Sequence, residues 1–269
     1  MGTQTNLSQA PRRSLWQRAR APLLVLVILV AIWETVYRLH VFPSIAFAGP
    51  LDVARALLRL ARDGELLTAL KYTLTRLGFS FLLSMAIGGL LASLMILLAP
   101  FRRGVEPLML GLQSLPGLVW VPLAILWFGY SDNALYFVTV IGSVFAVTMG
   151  FVDAFSAVPP LYAKAARNMG VRGVGLLLRV TVPAATPQLV SAAKVGWSFS
   201  WRSLVGAEII IPSLGGLGFL LDQGRTNLNE SQVFAIMVNV LVIGIVIDRL
   251  LFASLERSVR RRWGLTGRR

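Results

Sequence analysis

The feature that most limits what this chain can become is a repeated one. Stretches of twenty or more mostly apolar residues follow one another, parted by short turns rich in arginine, glycine and proline. A helix needs about 20 apolar residues to cross the hydrocarbon of a bilayer. Inside that layer every backbone N–H and C=O must be bonded within the protein, which leaves helices or closed barrels. The runs are continuous rather than alternating, and that selects helices. With 56% hydrophobic and 14% charged residues, the composition lies outside the soluble range. The sequence therefore predicts an all-α polytopic membrane protein.

Six spans can be placed. Residues 1–21 form a polar tail with Arg12, Arg13, Arg18 and Arg20. Pro22 to about Leu39 could be a signal peptide, but no small-residue cleavage pattern follows, so it is taken as an uncleaved first span. Residues 22–65 hold this span and an outer connector, in which Leu51 to Arg62 reads as an amphipathic interfacial helix or a solvated link. The core, 66–253, begins with a second span to about Ala99, on which Gly78, Ser84, Gly88, Gly89 and Ala92 suit close helix packing. Pro100 to Gly104 reads as a tight turn. The third span, about Val105 to Phe128, should be interrupted at Pro116-Gly117 and again at Pro122. Broken helices are tolerated at membrane depth where the freed backbone faces protein or a water-filled cavity. The fourth span is Ala134 to about Phe155 and the fifth Thr186 to about Ile211, with a loop over 157–185 between them. A Gly-rich outer loop, Pro212 to Glu230, precedes the sixth span, Ser231 to about Ala253. Residues 254–269 form a tail with Arg257, Arg260, Arg261, Arg262, Arg268 and Arg269.

The net charge of +14 invites a nucleic-acid partner. The arginines, however, sit at the ends of apolar segments, which is the orientation signal of a membrane protein. Both tails, the Arg102-Arg103 turn and the 157–185 loop share one side and most of the arginines. The positive-inside rule puts that side in the cytoplasm.

The 157–185 loop carries its own pattern. Pro159-Pro160 cannot continue a helix but can open one. Leu161, Ala165 and Met169 then recur at helical spacing, and Gly170 is a helix stop. Lys164, Arg167, Arg172 and Arg179 add charge. Such a helix between two spans can lie on lipid or dock on a soluble partner. Being short and mostly small-sided, it is a poor lipid anchor, and docking is expected.

Catalytic groups are scarce. His40 is the one histidine and stands alone at the outer end of the first span, and there is no cysteine. No His-Glu-x-x-His, no Gly-x-Ser-x-Gly and no Gly-Lys-Ser/Thr phosphate loop occurs, so the chain cannot hydrolyse ATP by that route. The fifth span says more. At 100° per residue, Lys194, Trp197, Ser198, Trp201, Arg202, Val205 and Glu208 share an arc of about 140°. Gly196, Ser200, Ser203 and Ala207 form the opposite, small-residue face. Charges inside a membrane face a cavity or each other. Lys194 and Arg202 either bias a pathway toward anions, with the tryptophans shaping a constriction, or serve packing: Arg202 paired with Glu208, Lys194 snorkelling to the interface.

The run Lys164-Ala-Ala-Arg-Asn-Met-Gly170, nine residues, then Val180-Thr-Val-Pro183 resembles the cytoplasmic loop motif of bacterial ABC-importer permeases. That motif reads Glu-Ala-Ala, three residues, Gly, nine residues, Ile-x-Leu-Pro; Lys164 stands where it often has glutamate. Leu115 to Gly129, Lys194 to Glu208 and Gly215 to Leu221 are similar to the nitrate, sulfonate, taurine and bicarbonate branch. The likeness spans roughly Pro50 to Trp263. It implies a type I importer (MetI-like) permease fold in a bacterial inner membrane, carrying a small anion or organic anion. It implies a homodimer surrounded by lipid, two cytoplasmic ATP-binding subunits, and an external substrate-binding protein or lipoprotein. ATP and Mg would sit on the ATPase, with no cofactor or metal on this non-catalytic chain. The coupling set would be Leu161, Tyr162, Lys164, Ala165, Ala166, Arg167, Met169 and Gly170. Leu115, Pro116, Leu118 and Val119 would line the path with Lys194, Trp197, Ser198, Trp201, Arg202 and Glu208. The alternatives are an ion-coupled secondary transporter, which usually shows an internal repeat with matching broken helices, and a membrane-embedded enzyme, which needs a nucleophile, metal ligands or a base. No repeat is visible and those groups are nearly absent.

Overall fold

A computed structural model describes residues 15–43, 46–211 and 215–263, and everything below refers to those residues. Residues 1–14 and 264–269, with Arg12, Arg13, Arg268 and Arg269, lie outside them. The helices run α1 Leu15–Arg38, α2 Pro50–Arg62, α3 Glu65–Leu97, α4 Ala99–Gln113, α5 Val121–Phe128, α6 Asp132–Ser156, α7 Pro160–Asn168, α8 Gly173–Leu176, α9 Val182–Ile210, α10 Leu217–Thr226, α11 Glu230–Ile247 and α12 Ala253–Arg262. Four continuous helical stretches are long and apolar enough to cross a membrane, or five if the bent α4–α5 pair counts as one. α1, whose residues from Leu23 to Val30 are largely exposed, occupies the stretch expected as the first span.

The centre is α6, the most buried of the spans, held between α3 and α9. Small residues let the three backbones approach. A Cβ at Gly88 would fall 2.7 Å from Val147, and one at Gly150 would fall 2.9 Å from Ala192. Ser84 on α3 meets Ser143 on α6 with 2.8 Å between hydroxyls. The predicted small faces are thus the packing faces, except that Gly78 has nothing near it. On α2, Val53, Ala56 and Leu60 are buried. Val53 and Ala56 pack with Ala235 and Phe234 of α11, so this helix docks on protein.

Three boundaries differ from expectation, each through proline. Pro100 is not in a turn but in the first turn of α4, where a missing N–H costs nothing. Pro122 likewise opens α5, so the third span breaks once, at Ser114–Pro116, where the chain turns by 97°. Val180-Thr-Val-Pro183 belongs to helix rather than loop. A π-turn over Leu177–Thr181 joins α8 to α9 in one stretch, Gly173–Ile210. Pro183 lies in the first α-turn after it, and the Thr186 hydroxyl donates to the Pro183 carbonyl (2.8 Å), which Pro187 cannot reach. A second π-turn, Asp248–Phe252, joins α11 to α12.

Candidate functional site

The loop helix α7 is built as its sequence demands. Pro159 is extended (φ −55°, ψ 131°) and Pro160 opens the helix. At the other end Gly170 is left-handed, with φ +83°. Its N–H donates to Arg167 O (3.0 Å) and that of Val171 to Ala166 O (3.0 Å). These are both bonds of a Schellman stop, which a Cβ at position 170 would strain. Leu161, Tyr162 and Met169 are 70%, 51% and 76% exposed. Lys164, Ala165 and Arg167 are exposed beside them. Ala166, expected in the docking set, instead faces its own chain and is buried. Among the described residues nothing covers the outer face of α7, an apolar stripe edged by cations.

The break in the third span forms a second feature. After Pro116 a 3₁₀ turn, Gly117–Trp120, leaves Leu115, Leu118 and Val119 substantially exposed. The Ser203 hydroxyl of α9 is lodged between Gly117 and Gly142, which fixes the turn against α6 and α9. Leu118 lies over Gly206, where a Cβ would come within 2.7 Å of its Cδ2. Toward the α7 end of the spans, α4, α6 and α9 bound an open groove of about 950 Å³. Gln113, Asp153, Gln188, Ser191 and Glu106 line it, the last held by Arg102 at 2.8 Å.

The predicted arc on α9 divides. Trp197, Ser198, Trp201, Arg202 and Val205 do share a groove, but it opens toward α11, whereas the first is bounded by α4 and α6. Lys194 is not free: its Nζ is 2.7 Å from Asp248 Oδ1. Glu208 does not pair with Arg202. It is buried, and its carboxylate accepts from Arg76 Nη1 (3.1 Å), Thr73 Oγ1 (2.9 Å) and the Gly218 N–H (3.1 Å). Arg76 also reaches Asp132 Oδ1 (2.8 Å) and Gly215 O (3.0 Å). This cluster clamps α3, the start of α6, α9 and the start of α10 together. Gly216 makes room for the carboxylate, which a Cβ there would strike, and Gly218 lets α10 come up against the Glu208 Cβ and the Val205 carbonyl. Neither Arg76 nor Asp248 stood out in the sequence. An arginine in the middle of an apolar span was the available signal, since it must have a buried partner. No three His, Asp or Glu side chains converge to hold a metal among the described residues.

Comparison with known proteins agrees with this arrangement. Residues 84–261 match the family model described as the binding-protein-dependent transport system inner membrane component. An ABC transporter permease protein of Methanocaldococcus jannaschii is 32% identical over 138 residues, 51% of this chain and 52% of that one, so the match spans about half of each. The taurine transport system permease protein of Escherichia coli is 25% identical over 229 residues, covering 83% of this chain and 82% of its own length. Among solved structures, an inward-facing MetNI methionine ABC transporter superposes with a TM-score of 0.58 at 21% identity. It covers 74% of this chain and 95% of the other, a likeness of fold.

Proposed function

Because the chain belongs to the inner membrane components of binding-protein-dependent transport systems, we propose that it is the permease of an ATP-driven importer of small organic anions, with sulfonates such as taurine the first class to test. Two copies would enclose the path, two ATP-binding subunits would dock beneath, and a substrate-binding protein would deliver from outside. ATP and its Mg would act on the ATPase subunits alone, with this chain catalysing nothing. The arginine distribution favours both termini and α7 in the cytoplasm of a bacterial inner membrane. The observation that carries the proposal is α7 itself: a capped helix held between two spans, with Leu161, Tyr162, Ala165 and Met169 presented outward and rimmed by Lys164 and Arg167. That surface suits an apolar groove with an acidic edge. Gly170 supports it by ending the helix within a residue of Met169.

For the path we favour the open side of the third span, with Leu115, Pro116, Leu118 and Val119, together with the groove between α4, α6 and α9 that Ser191 and Val195 line. We leave Lys194, Trp197, Trp201 and Glu208 out of this path, since they face α11, are paired with it or are buried, while Ser198 and Arg202 lie on the α9 face that continues from Ser191 and Val195 toward Gly206. Reconstitution with the partner ATPase and binding protein tests the whole. ATPase activity should be stimulated by taurine or alkylsulfonates in a panel that includes nitrate, bicarbonate and cationic amines. Uptake driven by an ion gradient without ATP would overturn the proposal in favour of a secondary transporter.

A further inference from the structure

Arg202 keeps a charge where a membrane protein rarely leaves one unpaired. It is exposed on the outer half of α9, about 12 Å of helix short of the outer end at Ile210. The charges of α9 on either side of it along the helix are both paired: Glu208 with Arg76 toward the outer end, Lys194 with Asp248 further in. Among the described residues no ion pair engages Arg202 itself, and its polar and ring contacts are with its own helix. Nor does the side chain reach for the nearer water. Its Nε donates to Ser198 O (3.0 Å), one turn further from the outer end. Its guanidinium rests over the Phe199 ring, 5.0 Å from the centroid. Phe199 stands about 60° round the helix from Arg202, away from Trp201 and toward Val195 and Gly206. The forked Nη donors are thereby left without a partner among the described residues, on the side away from α11.

A guanidinium at membrane depth needs a carboxylate or water. With no carboxylate at hand, the α9 face that carries Ser191, Val195, Ser198 and Arg202 must be wetted, and it leads to Gly206 beneath Leu118. Neither the lining of the groove between α4, α6 and α9 nor the Leu115–Trp120 turn supplies another cation. We propose that Arg202 is the charge-selecting residue of the path, its guanidinium holding the oxyanion of the solute, a sulfonate or carboxylate, in transit. The planar fork can take two oxygens at once. Further in, the solute meets Asp153 in the groove, which repels an anion and favours its release. The role in transport rests on the importer reading above; the wetted, positively charged face does not.

The test takes the full-length chain assembled with its ATP-binding subunits and binding protein in proteoliposomes. Arg202→Gln should slow ATP-driven taurine uptake by roughly tenfold while its concentration dependence, set by the binding protein, stays put. Arg202→Lys, which keeps the charge but not the fork, should recover part of the rate. A second readout needs no solute. In Val195→Cys, half-exposed on the same face, anionic and cationic thiosulfonate reagents report the local charge. The ratio of their rates, anionic over cationic, should fall by roughly tenfold or more on adding Arg202→Gln and hold on adding Arg202→Lys. Uptake by Arg202→Gln within about twofold of the wild type, or an unchanged reagent ratio, would overturn the proposal. So would a thiol that neither reagent reaches in any nucleotide state, because the face would then be dry. A thermal midpoint lowered well beyond about 2 °C in Arg202→Gln, with no recovery in Arg202→Lys, would make Arg202 a packing residue. If the wild-type complex admits no taurine yet the reagent ratio still falls, the importer reading fails and Arg202 stands as the cation of a wetted face.

Discussion

Glu208→Gln isolates the buried charge cluster, because it keeps the side chain's volume and removes its charge. Removing one partner of a buried ion pair costs about 3–5 kcal/mol when the other is left uncompensated. Here the loss is cushioned. Arg76 retains Asp132 at 2.8 Å and Gly215 O at 3.0 Å. Asp132 is half exposed, at 49% of its side chain, so water weakens that remaining pair. A glutamine offers one acceptor oxygen where Thr73, Arg76 and Gly218 now share two. We expect a net loss of about 2–3 kcal/mol. At 2–4 °C per kcal/mol for a chain approaching this size, the midpoint of thermal unfolding should fall by roughly 5–10 °C. Seven tryptophans make intrinsic fluorescence in detergent a suitable probe. Arg76→Gln should cost a similar amount, and the double variant should cost less than the sum by about 1–2 kcal/mol, the signature of direct contact. Arg202→Gln, a substitution at an exposed side chain, should shift the midpoint by no more than about 2 °C. A midpoint unchanged in Glu208→Gln, or an Arg202→Gln variant that falls just as far, would refute the assignment of Glu208 to Arg76.

Other outcomes follow from the same geometry. Ala165→Arg and Gly170→Asp should leave the chain inserted in the membrane yet abolish transport, while the ATP-binding subunits cease to co-purify; ATPase recovery at the wild-type level together with normal uptake would remove α7 from the docking role. Single cysteines at Leu115, Leu118 and Val119, in a chain without native cysteine, should react with water-soluble thiol reagents in at least one nucleotide state. Resistance of all three in every state would make the segment packed core. Gly206→Ala should push the Leu118 side chain outward from α9, since the new methyl would meet it at about 2.7 Å; uptake should slow several-fold at unchanged protein yield, and unaltered uptake would take Leu118 out of the path.

The apolar spans from α3 onward, the break at Pro116 and both ends of α7 were legible in the sequence because each depends on local chemistry. Apolar length decides what crosses a bilayer, proline fixes φ and withholds an N–H, and Gly170 takes a left-handed conformation that a side chain would strain. The same local rules misplaced Pro100, Pro122 and Pro183, because a proline reads alike whether it ends one helix or opens the next. A π-turn at Leu177–Thr181 resolved the last of these, and periodicity at 3.6 residues gives no sign of it. Which helix each face of α9 meets was beyond any local rule. The arc from Lys194 to Glu208 is real as a helical surface, yet α11 covers one part of it, Asp248 neutralises another, and Glu208 turns to Arg76, 132 residues away. Charge pairing in a low-dielectric interior goes to whichever opposite charge packing brings within about 3 Å. Only the tertiary structure decides which charge that is.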